Sequence, residues 1–194
     1  MKHTTLCYIE KDGKYLMLHR VKKRHDVNHD KWIGIGGHIE PNETADECIL
    51  REAMEETGLT LTSFRKCGEI LFDSAPWPEE MMHLYYADGF TGKLTDCDEG
   101  ELVWLGKARL KELPAWEGDF IFLELMERRA PYFEMELHYN GEKLDRAILN
   151  GTPVKCSKIV YRLCNHMVYS FDILKASQKK RKRWRWLGRK GLWK

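Results

Sequence analysis

The stretch that decides the fold runs from Gly37 to Leu59 and reads GHIEPNETADECILREAMEETGL. Within it, Thr44 and Glu47 form the pattern T-x-x-E, a capping box in which each residue satisfies a backbone amide of the other. Gly58 follows the periodic residues and is suited to the left-handed conformation that ends many helices. The stretch therefore predicts a loop, a helix beginning after Thr44, and a second loop after Gly58.

Three glutamates cluster on this predicted helix. Glu52, Glu55 and Glu56 stand at positions i, i+3 and i+4, so they share one helix face. Their negative charges repel one another, and a hard divalent cation with a preference for oxygen ligands relieves that repulsion. A solvated acidic face is the alternative interpretation. Three further residues at fixed spacing favour the metal site instead: Gly37, Glu43 and Arg51.

The opposite side of the helix carries apolar residues. Leu50 and Met54, with Ala53 alongside, form the face that we expect to pack against a sheet.

This spacing resembles the Nudix box, G-x5-E-x7-R-E-U-x-E-E-x-G-U, in which U is a bulky aliphatic residue. The sequence departs from it only at Ala53, the first U position. The resemblance implies an α/β fold, namely an α/β/α sandwich with a mixed sheet and a catalytic loop-helix-loop. It also implies a hydrolase of nucleoside diphosphate linkages that requires Mg²⁺, with Mn²⁺ as an alternative ion.

The resemblance assigns a role to each matching position. Glu52 and Glu56 become metal ligands with a catalytic role, and Glu52 is the first choice for the base that deprotonates water. Two more expected ligands are Glu55 and the carbonyl of Gly36. The remaining matched residues are structural: Gly37, Glu43, Arg51 and Gly58.

Glu99 is a further candidate ligand from outside the box. It lies in an acidic turn, CDEGELVW, just before a predicted strand. The alternative is a solvated acid with no ligand role.

The rest of the chain mixes strands with a few helices, which indicates a sandwich rather than a doubly wound sheet. Asp12-Gly13 predicts a tight turn between two strands, and Asn140-Gly141 predicts a second one. Further strands are expected at 67–72, 83–90 and 101–105, and helices at 107–113 and 119–129.

The resemblance extends over roughly residues 3 to 150 and points to MutT-like 8-oxo-dGTP diphosphatases, which remove oxidised purine nucleotides from the nucleotide pool. It places Trp116 and Asp119 at the base. Gly118 replaces an acid of the related motif, and apolar Ile33 stands where an Asn would contact a purine. Alternatively, Trp116 belongs to the core and Asp119 caps a helix.

The residues of the box recognise the diphosphate and not the base, so the box does not distinguish among several other substrates. They are ADP-ribose, a dinucleoside polyphosphate and a capped RNA end. A domain that binds nucleotides without catalysis is a further alternative, although such domains usually lose box glutamates and this sequence keeps all of them.

Composition bounds the remaining possibilities. With 43% hydrophobic and 32% charged residues, the 194-residue chain resembles ordinary globular proteins and has no run of 18 apolar residues. The start lacks a signal-peptide pattern, so we expect a cytoplasmic protein. Its six cysteines form no CxxC pair and are expected to be free thiols. The oligomeric state stays open.

The charge is distributed unevenly. Residues 155–194 contain 13 Lys/Arg and a single acid, Asp172, which leaves 19 basic and 29 acidic residues in the first 154. We expect a Nudix domain over residues 1–155 and a separate extension over residues 156–194. The end of the extension, QKKRKRWRWLGRKGLWK, interleaves cations with Trp184, Trp186 and Trp193. Such a pattern suits nucleic acid or an anionic membrane surface. It is also compatible with a solvated end, or with one that folds back on the acidic body.

We predict that deleting residues 176–194 leaves nucleotide hydrolysis intact but abolishes binding to anionic vesicles or RNA at low salt. The reason is that no acid follows Asp172, so any such binding depends on screened charge attraction. Vesicle sedimentation and RNA gel shifts at two salt concentrations measure it. An intact chain that binds neither contradicts the prediction, and a deletion that abolishes hydrolysis shows that the domain boundary is wrong.

Overall fold

A computed structural model describes residues 1–22 and 26–154, which form one mixed sheet flanked by helices. The strands are β1 (Lys2–Lys11), β2 (Lys14–His19), β3 (Trp32–Ile33), β4 (Leu59–Ala75), β5 (Glu80–Gly92), β6 (Glu101–Gly106), β7 (Phe133–Asn140), β8 (Lys143–Leu149) and β9 (Thr152–Val154). The helices are α1 (Ala45–Thr57), a 3₁₀ helix (Lys107–Glu112) and α2 (Asp119–Glu127).

The sheet follows the order β3-β2-β1-β5-β4-β7-β8-β9, and β6 pairs with β2. Two pairs are parallel, β1 with β5 and β4 with β7, while the other paired strands are antiparallel. The predicted mixed sheet is therefore confirmed.

Both faces of the sheet are buried in its central part. Along β1, Leu6 and Tyr8 join one core cluster, while Cys7 and Ile9 join the other, because successive side chains of a strand point to opposite faces. Helix α2 packs on the first face and α1 on the second. The α/β/α sandwich predicted from the sequence is confirmed.

Helix α1 begins and ends where the sequence indicates. Thr44 and Glu47 form the reciprocal capping box, and Gly58 adopts a left-handed conformation with φ of 72°. The predicted packing face is wrong, however. Leu50 is 36% exposed and Met54 is 45% exposed.

The buried face of α1 lies one residue earlier on the helix. Ile49 and Ala53 are fully buried among the residues of the second core, and Glu56 is buried with them. The small side chain of Ala53, at the one position that departs from the box, lies at this contact. This rotation turns the Glu56 carboxylate towards the sheet. The spacing of the apolar residues alone does not predict that orientation.

Turns between strands were only partly predicted. Asp12-Gly13 forms the expected two-residue loop, with positive φ at both residues. The second loop is Gly141-Glu142, one residue later than predicted, because Asn140 still pairs with Lys143. Asn150-Gly151 forms a third loop of the same kind as the first, before β9, and the sequence analysis overlooked it.

The other predicted strands and helices are present, but their lengths differ from the predicted ones. Strands β4 and β5 are longer than predicted, since their polar outer parts continue the pairing through bulges. The predicted helix at 107–113 is a 3₁₀ helix, and α2 ends at Glu127. The four described cysteines are free and buried, as expected: Cys7, Cys48, Cys67 and Cys97.

Two expectations fall outside the described residues. They are the extension over residues 156–194 and the domain boundary that precedes it. In residues 1–22 and 26–154, no helix is both long and apolar enough to cross a membrane.

The orientation of α1 predicts that two neighbouring substitutions change the free energy of unfolding by very different amounts. Ile49→Ala should lower the free energy of unfolding by about 2–5 kcal/mol, since it leaves a cavity in the second core. Leu50→Ala should change it by less than about 0.5 kcal/mol, since this side chain lies largely at the surface. Urea unfolding of both variants measures the difference. Equal losses would show that the helix is rotated differently.

Candidate active site

Two glycines bring the loop before α1 close to β1. A Cβ on Gly36 would lie 2.1 Å from the carbonyl oxygen of Thr5, and φ at Gly36 is 151°. The next residue is anchored as well, because the Thr5 amide donates to the Gly37 carbonyl at 2.8 Å. A Cβ on Gly37 would lie 2.3 Å from Oε1 of Glu52. Glycine at both positions therefore allows the loop, the strand and the Glu52 carboxylate to meet.

Glu56 is the most buried of the box glutamates. Its residue is 6% exposed, and its Oε2 accepts a hydrogen bond from the Gly36 amide at 2.9 Å. Burial, together with the nearby Glu99 and Glu52, raises the pKa of Glu56 to about 8, although the Gly36 amide and Arg20 oppose the shift. A carboxylate with two like-charged neighbours therefore lies beside the glycine loop.

Arg51 ties the loop to the helix. Its Nε and Nη2 donate to the two carboxylate oxygens of Glu43 at 2.8 and 2.9 Å. The same guanidinium reaches the Glu52 and Glu55 carboxylates through Nη1, at 2.8 and 3.1 Å. Hydrogen bonding to Arg51 lowers the pKa of Glu43 to about 2, so this pair is charged at neutral pH. Glu43 and Arg51 therefore join the loop to the helix.

Glu52 and Glu55 differ in their surroundings. The Glu52 side chain is 15% exposed and that of Glu55 is 61% exposed. Burial raises the pKa of Glu52 despite the bond to Arg51, and Glu55 and Glu99 act in the same direction. Glu52 thus belongs to the inner cluster with Glu56, and Glu55 lies at its rim.

The chain brings Glu99 to the same place. Its carboxylate pairs with Nη1 of Arg20, and Arg20 also donates through Nε to Asp26 at 2.6 Å. Glu99 raises the pKa of both Glu56 and Glu52, which shows that it lies near them. Glu99 therefore lies with Glu52 and Glu56, and its role as a metal ligand stays a prediction.

The cluster fits a divalent cation by its chemistry. All its ligand atoms are oxygens, which Mg²⁺ prefers, and its carboxylates raise one another's pKa because their negative charges repel. Within residues 1–22 and 26–154, no group of three or more His, Cys, Asp or Glu side chains is already arranged to hold a metal ion. Arg51 and Arg20 instead hold the oxygens of Glu52 and Glu99. The oxygens that would hold the ion are those of Glu52, Glu55, Glu56, Glu99 and the Gly36 carbonyl.

Trp116 lies in the core on the other face of the sheet. It is 5% exposed, and its Nε1 donates to Oδ1 of Asn28 at 2.7 Å. Its ring contacts Phe72 and Tyr139 edge-on, with centroids 5.0 and 4.8 Å away. The ammonium group of Lys31 lies 4.7 Å from the ring centroid. Stacking of Trp116 on a base therefore requires Lys31 to move away from the ring.

Asp119 is the first residue of α2, and Gly118 occupies the N-cap position instead. The Asp119 residue is 5% exposed, and burial raises its pKa to about 8 although Lys31 opposes the shift. It lines a small cavity with Tyr8 and Trp32. The enclosed space is about 10 Å³, which holds about one water molecule, so a base enters only if side chains move.

Several residues around these two regions were missed in the sequence analysis. Arg20 and Lys31 are cations placed against predicted site residues, and Tyr8 lines the cavity. In the sequence, Tyr8 cannot be told apart from an ordinary core residue of β1. The two cations flank the polar stretch 21–30, where most charges are solvated, so nothing in the local sequence marks them.

One segment connects the two regions. Trp32 lines the cavity, and four residues later the Gly36 amide binds Glu56. Four residues of extended chain span at most about 14 Å. The Trp32 side of the cavity and the Gly36 loop beside the carboxylates therefore lie close together along this segment.

A family model described as the NUDIX domain matches residues 2–126 of the chain. The chain belongs to the Nudix hydrolase family. The match covers the glycine loop, α1, Glu99 and both substrate-binding candidates, so the site described above lies within the Nudix domain.

Two of the curated relatives of this Nudix domain carry names that point to different substrates. An oxidized purine nucleoside triphosphate hydrolase from Danio rerio is 30% identical over 141 residues, which cover 71% of this chain and 88% of the relative. A NAD-capped RNA hydrolase from Vibrio cholerae is 42% identical over 77 residues, but these cover only 37% of this chain and 26% of the relative.

Among solved structures, a MutT protein from Bacillus halodurans superposes with a TM-score of 0.67 at 24% identity. The alignment covers 79% of this chain and all of that chain. This likeness establishes that the fold is the Nudix fold.

Proposed function

We propose that this Nudix hydrolase cleaves 8-oxo-dGTP to the monophosphate and pyrophosphate in the presence of Mg²⁺, for which Mn²⁺ can substitute. The observation that carries the hydrolytic part is the cluster of Glu52, Glu56 and Glu99 beside the Gly36 loop. The similarity to the Danio rerio enzyme over most of both chains supports the choice of nucleotide.

The divalent ion, when bound, neutralises phosphate oxygens and lowers the pKa of the attacking water. Glu52 and Glu56, with Glu55 and Glu99 beside them, would hold the ion through carboxylate oxygens, and the Gly36 carbonyl would add a neutral ligand. Glu52 would accept a proton from the attacking water, whose oxygen forms the new P–O bond as the P–O bond between the α- and β-phosphates breaks. Arg51 keeps the Glu52 carboxylate at the helix edge through its bond of 2.8 Å.

The base end of the substrate lies at the cavity beside α2. Asp119 is largely protonated at neutral pH, because burial raises its pKa to about 8, and a carboxylic acid can both donate and accept a hydrogen bond. Trp116 supplies a large aromatic surface next to it once Lys31 is displaced. We infer that these two residues bind the purine.

A second candidate function is hydrolysis of capped RNA ends. It is favoured by the 42% identity to the Vibrio cholerae enzyme. That similarity spans about a quarter of the relative, whereas the similarity to the Danio rerio enzyme spans 88% of it. The nucleoside triphosphate is therefore the preferred substrate.

The carboxylate cluster predicts that Glu56→Gln and Glu52→Gln each reduce turnover by at least about 100-fold, since each removes a charge from the ion's ligands. Both variants should fold, because amide and carboxylate have the same shape. Pyrophosphate release measures turnover with and without Mg²⁺, circular dichroism checks folding, and the exposed loop residue Glu40 supplies a control, Glu40→Gln. Near-normal rates in both variants would exclude this mechanism.

The substrate assignment predicts a higher kcat/KM for 8-oxo-dGTP than for dGTP, with a monophosphate and pyrophosphate as products. Asp119→Asn should reduce this ratio more than it reduces kcat, because it alters a base contact and leaves the metal ligands unchanged. Glu117→Gln, which changes a nearby acid that does not line the cavity, is the matched control. Equal or better efficiency on ADP-ribose would refute the assignment.

A further inference from the structure

Two tyrosine hydroxyls are buried without a partner. Tyr8 is fully buried and Tyr15 is 2% exposed, and neither hydroxyl makes a hydrogen bond among the described residues. The Gly34 amide lies beside the Tyr8 hydroxyl and lowers its pKa, but no hydrogen bond of normal geometry forms. Because burying a hydroxyl without a partner is costly, each of these groups calls for an explanation.

The two tyrosines differ in what they face. Tyr8 lines the cavity next to α2, and Tyr15 does not. Their rings meet edge-on with centroids 5.5 Å apart, so the two residues share the same core but only one reaches the cavity. Tyr8 is therefore placed to meet a ligand in the cavity, and Tyr15 is not.

Polar groups are scarce around this cavity. Apart from Asp119 and Tyr8, its lining consists of apolar and aromatic side chains, among them Met17, Leu123 and Phe120. Tyr8 and Asp119 both line the cavity, and burial raises the pKa of the Tyr8 hydroxyl with a further contribution from Asp119. A pocket of this kind, with apolar walls and two adjacent polar groups, suits a flat heterocycle that carries a polar edge.

The cavity admits such a ring only after a local rearrangement. Its enclosed space of about 10 Å³ is far smaller than a purine. Trp32 and Phe120 line it and are only partly buried, so an outward turn of these two side chains, with loss of the Trp32 stacking on His19, is the smallest rearrangement that would enlarge it. Such a movement would open the cavity beside Tyr8 and Asp119.

We propose that the Tyr8 hydroxyl donates a hydrogen bond to a carbonyl oxygen of the nucleotide base, and that Tyr8 thereby determines base specificity. The proposal rests on the proposed function, because it assumes that the base occupies this cavity. Two carbonyl oxygens of an oxidised purine carry the required chemistry, one on C6 and one on C8. A site built to hydrogen-bond a substrate group discriminates against analogues that lack it, since its own polar group then stays unpaired.

The test compares Tyr8→Phe with Tyr15→Phe, which removes an equally buried and unpartnered hydroxyl away from the cavity. Calorimetry measures binding of 8-oxo-dGMP, dGMP, 8-oxo-dAMP and dAMP, which carry both carbonyls, the C6 carbonyl, the C8 carbonyl and neither. Tyr8→Phe should weaken binding about tenfold, the value of one neutral hydrogen bond, for the two nucleotides that carry the bonded carbonyl, and leave dAMP unchanged. Tyr15→Phe should bind all four like the wild type, and neither variant should lose thermal stability.

The pattern of losses identifies the oxygen. Weaker binding of 8-oxo-dGMP and dGMP alone assigns the C6 carbonyl, and weaker binding of 8-oxo-dGMP and 8-oxo-dAMP alone assigns the C8 carbonyl.

Three results overturn the proposal. They are an equal loss for all four nucleotides, no loss for any of them, and a fall in melting temperature with unchanged binding, which indicates a structural hydroxyl or a bridging water. A wild type that binds none of the four overturns it too. The proposed function is decided separately by wild-type turnover of 8-oxo-dGTP against dGTP, so the two can fail independently.

Discussion

The guanidinium of Arg51 holds together parts of the chain that would otherwise separate. It binds both oxygens of Glu43 in the loop, the carboxylates of Glu52 and Glu55 on the helix, and the His38 carbonyl at 3.1 Å. Arginine suits this position because its five donors lie in one rigid plane and stay charged. Without that charge, the glutamates on α1 would repel one another and the loop would lose its attachment to the helix.

The same helix carries an energetic conflict. Glu56 is buried beside Glu52 and Glu99, and burial makes the ionised carboxylate unfavourable. The chain tolerates this because Ile49 and Ala53 anchor α1 in the second core, on the same side as Glu56. Apolar packing on that side thus holds a carboxylate where solvation alone would not place it, and a divalent cation would relieve the repulsion.

The proposed site spans both faces of the sheet. The carboxylates belong to the face covered by α1, whereas Trp116 and Asp119 belong to the face covered by α2. The short segment from Trp32 to Gly36 passes between them, and its glycines allow a close approach to β1. The carboxylates of Glu52 and Glu99 are held by Arg51 and Arg20, while the base half is closed by Lys31 over Trp116 and by the small volume of the cavity. Binding of a base in the proposed position therefore requires that this part of the site open first.

The sequence by itself determined those features that depend on neighbouring residues. The capping box at Thr44 and Glu47, the left-handed Gly58 and the Asp12-Gly13 turn all follow from local backbone chemistry, and the structure contains each of them. The spacing of the box glutamates predicted their shared helix face for the same reason. The fold class followed because a mixed pattern of strands and few helices needs two covering layers.

Tertiary structure alone decided the rest, because packing joins residues that are far apart in the chain. The rotation of α1 depends on how Ile49 and Ala53 meet the sheet, and apolar periodicity predicted Leu50 and Met54 instead. The pairing of Arg20 with Glu99 and the position of Lys31 over Trp116 join distant segments, as does the approach of Tyr8 to Asp119. Each depends on strand register and on the seating of a helix, which local sequence does not encode.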